Sequence, residues 1–196
     1  MTVVASIVEG DGEVEALPIL LRRLNAWLSP ETPVDIKPPI RVRRDRFLNK
    51  ADEFNKHLLL AAAKCGDMGW ILVLLDSDDD CPAKQGLEVL KRAKEIVPHR
   101  RISVILANRE YEAWFIAAAK SLHGQRGFML ENDAIDPETP RDAKGWIAKR
   151  MAGGAYREKT DQPAFSNRMD LEQAHERSRS FRKLCSEWKR QTILTL

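Results

Sequence analysis

The sequence predicts an α/β fold with a mostly parallel central sheet flanked by helices. Three apolar runs, residues 2–8 (TVVASIV), 70–75 (WILVLL) and 101–107 (RISVILA), have the length and near-continuous hydrophobicity of strands buried on both faces. Helix-patterned segments stand between them, the alternation that right-handed crossovers require. Each run also ends abruptly in acid, and open α/β sheets bind ligands at the carboxyl ends of their strands.

The elements follow in order. The first strand runs into Glu9-Gly10-Asp11-Gly12-Glu13, where two glycines permit a tight turn. No GxxxxGK or GxGxxG is present, so neither standard nucleotide loop is expected. Leu17, Leu20, Leu21, Leu24, Trp27 and Leu28 recur at helical spacing, and Pro30 and Pro33 end that helix. Val34 to Val42 is extended but broken by Pro38-Pro39, an edge strand at best. Arg41, Arg43, Arg44 and Arg46 follow. Alternation puts Arg41 and Arg43 on one face, either a phosphate-contacting strip or a solvated basic loop.

Ala51, Phe54 and Leu58 place a helix over Lys50 to Lys64. After the central strand comes the loop Asp76-Ser77-Asp78-Asp79-Asp80, and Pro82 opens a helix that reaches Ile96. The third run ends at Asn108-Arg109-Glu110-Tyr111-Glu112 and passes into a helix as far as Lys120. Residues 121–140 read as a loop or insertion, Arg141 to Met151 as a helix closed by Gly153-Gly154, and the stretch around Tyr156, Lys159 and Asp161 as a polar segment. Two more helices cover Asp170 to Arg177 and Ser180 to Arg190. In the second, Phe181, Leu184 and Trp188 pack while a basic face with Arg182 and Lys183 is free for phosphate. We expect residues 1–120 to form the α/β core and 121–196 a helical extension packed on it within one domain.

Composition narrows the function. Of the 196 residues, 43% are hydrophobic and 31% charged, ordinary for a soluble globular protein. No apolar run is long enough to span a membrane and the start lacks a secretory signal, so a cytoplasmic place is expected. Cys65, Cys81 and Cys185 form no close pair, and the four histidines make no metal-ligand spacing. The net charge of +3 permits a nucleic-acid partner without requiring one.

Clustered carboxylates repel, and a cation, basic side chains or protonation must offset the cost. An EF-hand fails by count: Asp76, Asp78 and Asp80 fit its first positions, but its glycine falls on Cys81 and its glutamate on Leu87. Three acid-tipped strands instead bring Glu9, Asp76, Asp78 and one of Glu110 or Glu112 to one sheet edge, a pocket for Mg2+ or Mn2+. Glu13 and Asp80 are expected to complete the shell, with Asp79 and Glu110 as further candidates.

A strand ending in Glu9-Gly10 and another ending in Asp76-Ser77-Asp78 resembles the Toprim domain shared by topoisomerases of types IA and II, DnaG-type primases and OLD-family nucleases. VEGDGE, LLDSDDD, ANREYEAWFIA, YREKTDQP and SRSFRKL together are similar, over nearly the whole chain, to the compact Toprim-like proteins known as domain of unknown function 4276. The resemblance implies a Rossmann-like sheet and metal-dependent phosphodiester chemistry on nucleic acid. It makes Glu9 a general acid/base or metal ligand, Asp76 and Asp78 metal ligands and Glu112 a second-metal ligand. Lys159 would stabilise charge on the scissile phosphate. Arg41, Arg43, Arg44, Arg182 and Lys183 are the expected nucleic-acid contacts. No ATPase module of the OLD kind is visible, so an energy-coupled partner would be a separate chain; a homodimer is left open. Two other readings stand beside this one: a non-catalytic nucleic-acid-binding or accessory subunit, and a phosphatase with Asp76 as nucleophile. The second fits less well, since Asp80 stands where its motif needs Thr or Val.

Overall fold

The computed structural model describes residues 1–131 and 135–193. The three apolar runs are strands: β1 (Thr2–Val8), β4 (Trp70–Asp76) and β5 (Arg101–Ala107). Between the first two lie β2 (Val34–Ile36) and β3 (Ile40–Arg41), both parallel to β1 and both on its outer side. Thr2 faces Val34 and Ile7 faces Ile40, so β2 and β3 are one edge strand interrupted by Lys37-Pro38-Pro39. The sheet order is β2-β1-β4-β5 and every pairing is parallel.

Helices cover both faces. Ile71, Val73 and Leu75 of β4 pack with Phe47 of α2 (Arg44–Asn49), Phe54 and Leu58 of α3 (Ala51–Cys65) and Val89 of α4 (Pro82–Ile96). Trp70, Leu72 and Leu74 alternate to the other face. There they meet α1 (Asp11–Leu28), the short helices α5 (Ala113–Ala117), α6 (Ala119–Leu122) and α7 (Ala143–Ala148), then α8 (Glu158–Arg168), α9 (Leu171–Arg177) and α10 (Arg179–Thr192). The C-terminal helices thus share a core with the sheet. Trp188 of α10 stacks edge-on against Trp70 with centroids 5.7 Å apart, and its indole donates to Ser29 Oγ at 3.0 Å.

Several elements differ from the sequence expectation, α2 among them, since Arg44 and Arg46 read as part of an extended or looped basic run. The helix after β5 breaks at Ala118 into α5 and α6. The polar stretch after Tyr156 is a helix, α8, which buries Asp161, Gln162, Phe165 and Ser166. Its inward face is largely polar, so no apolar stripe announced it. Among the described residues no helix is long and apolar enough to cross a membrane.

Candidate functional site

The order of strands fixes where a pocket forms. From β1 the chain crosses to the outer edge at β2, then returns past β1 to β4, so the crossovers diverge between β1 and β4. That is the switch point of the sheet, where open α/β folds bind ligands. Glu9 follows β1 and Asp76 ends β4, one on each side of it.

Asp76 continues the row of Trp70, Leu72 and Leu74, which turns its side chain into the layer of α1, α5 and α8. It is only 4% exposed, and its Oδ1 accepts from the Tyr111 backbone N–H at 2.7 Å. Glu112, fully buried at the foot of α5, accepts from Tyr156 OH at 3.1 Å through Oε1, while its Oε2 has no hydrogen-bond partner among the described residues. Glu13, in the first turn of α1, accepts from the Gly10 N–H and from Gln162 Nε2, the latter at 3.4 Å. Gly12 makes that contact possible, since a Cβ there would stand 1.8 Å from Gln162 Oε1. Glu9 Oε2 is buried without a hydrogen-bond partner among the described residues.

One cation enters this group. Lys144 Nζ of α7 lies 3.9 Å from Asp76 Oδ2, 3.8 Å from Glu110 Oε1 and 3.7 Å from Glu158 Oε1, and its backbone N–H donates to Glu110 Oε2 at 3.0 Å. Burial drives the Asp76 carboxyl far above the ordinary range, and Glu112 and Glu13 push the same way against Lys144. Burial lifts Glu112 to about 8, with Lys144 pulling down and Glu13 adding to the rise. Glu9 is pushed up to about 7 by burial and then by Glu13 and Asp78, and burial raises Glu13 as well. For Lys144 burial opposes the charge, but Glu112, Asp76, Glu158 and Glu110 outweigh it and hold the ammonium above its usual range.

The outer loop is neutralised differently. Arg44 reaches Asp78 at 3.2 Å and Asp80 at 2.8 Å, and its Nε donates to the Asp76 carbonyl at 3.0 Å. Asp79 is held by Arg109 at 2.6 Å and Arg141 at 2.8 Å. Asp78 (φ 50°) and Arg109 (φ 67°) both sit in the left-handed region, joined by a bond from Asp78 N–H to the Arg109 carbonyl at 3.0 Å.

Of the residues singled out from sequence, Glu9, Glu13, Asp76 and Glu112 converge at the switch point. Asp78 and Asp80 lie outside them, tied to Arg44, which is itself a clamp on the loop. Lys159 is on the rim with its Nζ 3.3 Å from Asp11; the central ammonium belongs to Lys144. Arg41 bridges to Asp11 at 3.0 Å and to the Glu9 carbonyl at 3.2 Å, and Arg43 is exposed. Arg182 donates to the His175 and Glu176 carbonyls at the end of α9, and Lys183 pairs with Glu187 at 2.6 Å.

Among the described residues no group of three or more His, Cys, Asp or Glu side chains is already arranged to hold a metal ion. In kind the donors fit a hard divalent cation: every candidate ligand atom is oxygen, and the orphan acceptors on Glu9, Glu112 and Gln162 call for a positive partner.

Searches of curated proteins and of solved structures find no match to the chain. A family model, described as Domain of unknown function (DUF4276), matches residues 8–188. This span begins at the last residue of β1, takes in the whole acidic centre and ends within α10. The chain therefore belongs to the DUF4276 family.

Proposed function

We propose that the acidic centre binds Mg2+ or Mn2+ and carries out phosphodiester hydrolysis on a nucleic acid. The supporting observation is the convergence of Glu9, Glu13, Asp76 and Glu112 at the switch point, with unpartnered acceptor oxygens on Glu9 and Glu112. Glu9, Asp76 and Glu112 are the residues that would hold the ion, with Glu13 behind them and Asp78 and Asp80 at the mouth. A divalent ion supplies Lewis-acid polarisation of the phosphate and hydroxide at neutral pH.

The chain's own groups do the rest. Lys144, kept charged by the surrounding carboxylates, is the group placed to meet negative charge developing on a phosphate, the role the Toprim resemblance gave to Lys159. Glu9, lifted to about 7, can hold or release a proton at its carboxylate near neutral pH. Arg41 and Arg43 lie beside the same strand ends, where a nucleic-acid backbone would pass. The test is cleavage of labelled single-stranded, duplex and supercoiled nucleic acid with Mg2+ or Mn2+, set against an Asp76→Asn, Asp78→Asn double variant. Metal-dependent cleavage lost in the variant is the expected result, and an inactive wild type on every substrate overturns the proposal.

One observation favours a second reading, a non-catalytic nucleic-acid-binding subunit. Protein cations already stand against the carboxylates: Lys144 within, Arg44, Arg109 and Arg141 without. Metal affinity and nucleic-acid binding without turnover would decide for it.

A further inference from the structure

The geometry points to a peptide-docking groove along the free edge of β5, whose occupant is an extended segment of a partner protein with alternating apolar and acidic residues. Among the described residues β5 pairs with β4 alone, which leaves its far side without a strand partner. Parity along the strand identifies the exposed peptide groups. The Ala107 carbonyl accepts from Ser77 N–H beyond β4, whereas the N–H of Asn108 turns the other way, to Ser180 Oγ on α10. Alternation then directs the N–H and C=O of Ile102, Val104 and Leu106 outward.

These groups face a cavity of about 700 Å3 between α4 and α10. The α4 wall is apolar, formed by Pro82, Ala83, Leu87 and Leu90, and Leu87 is 68% exposed. The α10 wall carries Arg179, Lys183 and Arg190, spaced so that they share one helix face. At helical rise this stripe runs about 16 Å, most of the roughly 20 Å that β5 spans at about 3.3 Å per residue. The carboxylates there are already engaged. Glu138 accepts from Asn108 Nδ2, Ser178 Oγ and the Arg179 N–H, and Glu187 accepts from Ser103, Lys183 and Arg190. The Arg179 guanidinium has no carboxylate partner among the described residues.

A segment added to β5 sends successive side chains to opposite faces, one set onto the leucines of α4 and the other onto the α10 wall, where Arg179 is unclaimed by a carboxylate among the described residues and Lys183 and Arg190 share Glu187. Hence the apolar and acidic alternation. A nucleic acid has no peptide groups to offer the edge. A second copy paired antiparallel through β5 would set the basic stripe against its own twin.

The experiment is fluorescence anisotropy of a labelled peptide alternating valine and glutamate, titrated with the full chain. Saturable binding is expected. Arg179→Glu and Leu87→Glu, both at exposed positions, should each weaken it by about fivefold or more while the thermal melt stays in place. Methylating alternate peptide nitrogens should abolish binding in one register and spare it in the other. Asp76→Asn should leave it unchanged, which separates the groove from the acidic centre. Absence of binding, or equal binding of a valine–lysine peptide, overturns the proposal. So does displacement by a single-stranded oligonucleotide that itself loses affinity in both variants. A concentration-dependent dimer dissolved by Leu87→Glu would also overturn it, by giving the groove to a second copy.

Discussion

The ammonium of Lys144 stands 3.9 Å from the carboxylate of Asp76, a residue on a different element and far away in the chain. Lys144→Met should therefore lower metal-dependent cleavage by about a hundredfold or more, as removal of a charge-stabilising group does elsewhere. Lys159→Met, on the rim against Asp11, should leave the rate nearly unchanged. Single-turnover rates of both variants, with folding checked by circular dichroism, separate the two lysines.

Stability should fall as pH rises. Glu112 and Glu9 have folded-state pKa values raised to about 8 and about 7, above those of an unfolded chain. The protonated forms stabilise the fold fully below about pH 4, and that stability is lost as pH climbs through the folded values. Lys144 is charged in both states across this window and adds no slope. Thermal melts from pH 4.5 to 8.5 should show the decline at a cost of more than about 1 kcal/mol, and Glu112→Gln should reduce it, with Glu9, Glu13 and Asp76 supplying what remains. Mg2+ or Mn2+ bound as proposed should raise the melting point at pH 8 and not at pH 5, where Glu9, Asp76 and Glu112 are protonated.

Arg44→Ala should loosen the acidic loop. Its guanidinium serves Asp78, Asp80 and the Asp76 and Ser77 carbonyls at once, so its loss leaves part-buried acceptors unsatisfied at about 1–3 kcal/mol. Hydrogen exchange should accelerate over the loop that follows β4 and stay slow within β4 itself.

Gly12→Ala should push α8 away from α1. The added methyl meets Gln162 Oε1 at 1.8 Å and the Glu158 carbonyl at 3.1 Å. Overpacking of this kind costs about 1–3 kcal/mol. Gln162→Ala in the same chain should recover part of it, because the backbone contact remains, and denaturant melts of the three variants read the difference.

Apolar runs and the acid at their ends made the sheet and the positions of Glu9 and Asp76 legible from sequence, since both signals are local; they left Glu110 and Glu112 as alternatives, between which only the family resemblance chose. What stayed hidden depended on pairings between distant segments. Lys144 lies on a six-residue helix within the stretch Arg141 to Met151 that the sequence reads as helical, but only the fold brings it to Asp76. Arg44 read as one of a basic run free for phosphate, yet α2 begins beside the end of β4 and the loop claims it. For α8 the buried face is Asp161, Gln162 and Ser166 as much as Phe165, a pattern that hydrophobic periodicity does not register.

The proline pair between β2 and β3 bears on how copies of this chain behave when crowded. Pro38 and Pro39 have no N–H to offer, so the edge at that end of the sheet is blunted. Growth of a β ribbon from molecule to molecule needs two adhesive borders, one to receive and one to extend. With the β2–β3 border short and interrupted, edge-to-edge association at β5 favours one added strand over elongation into a fibre.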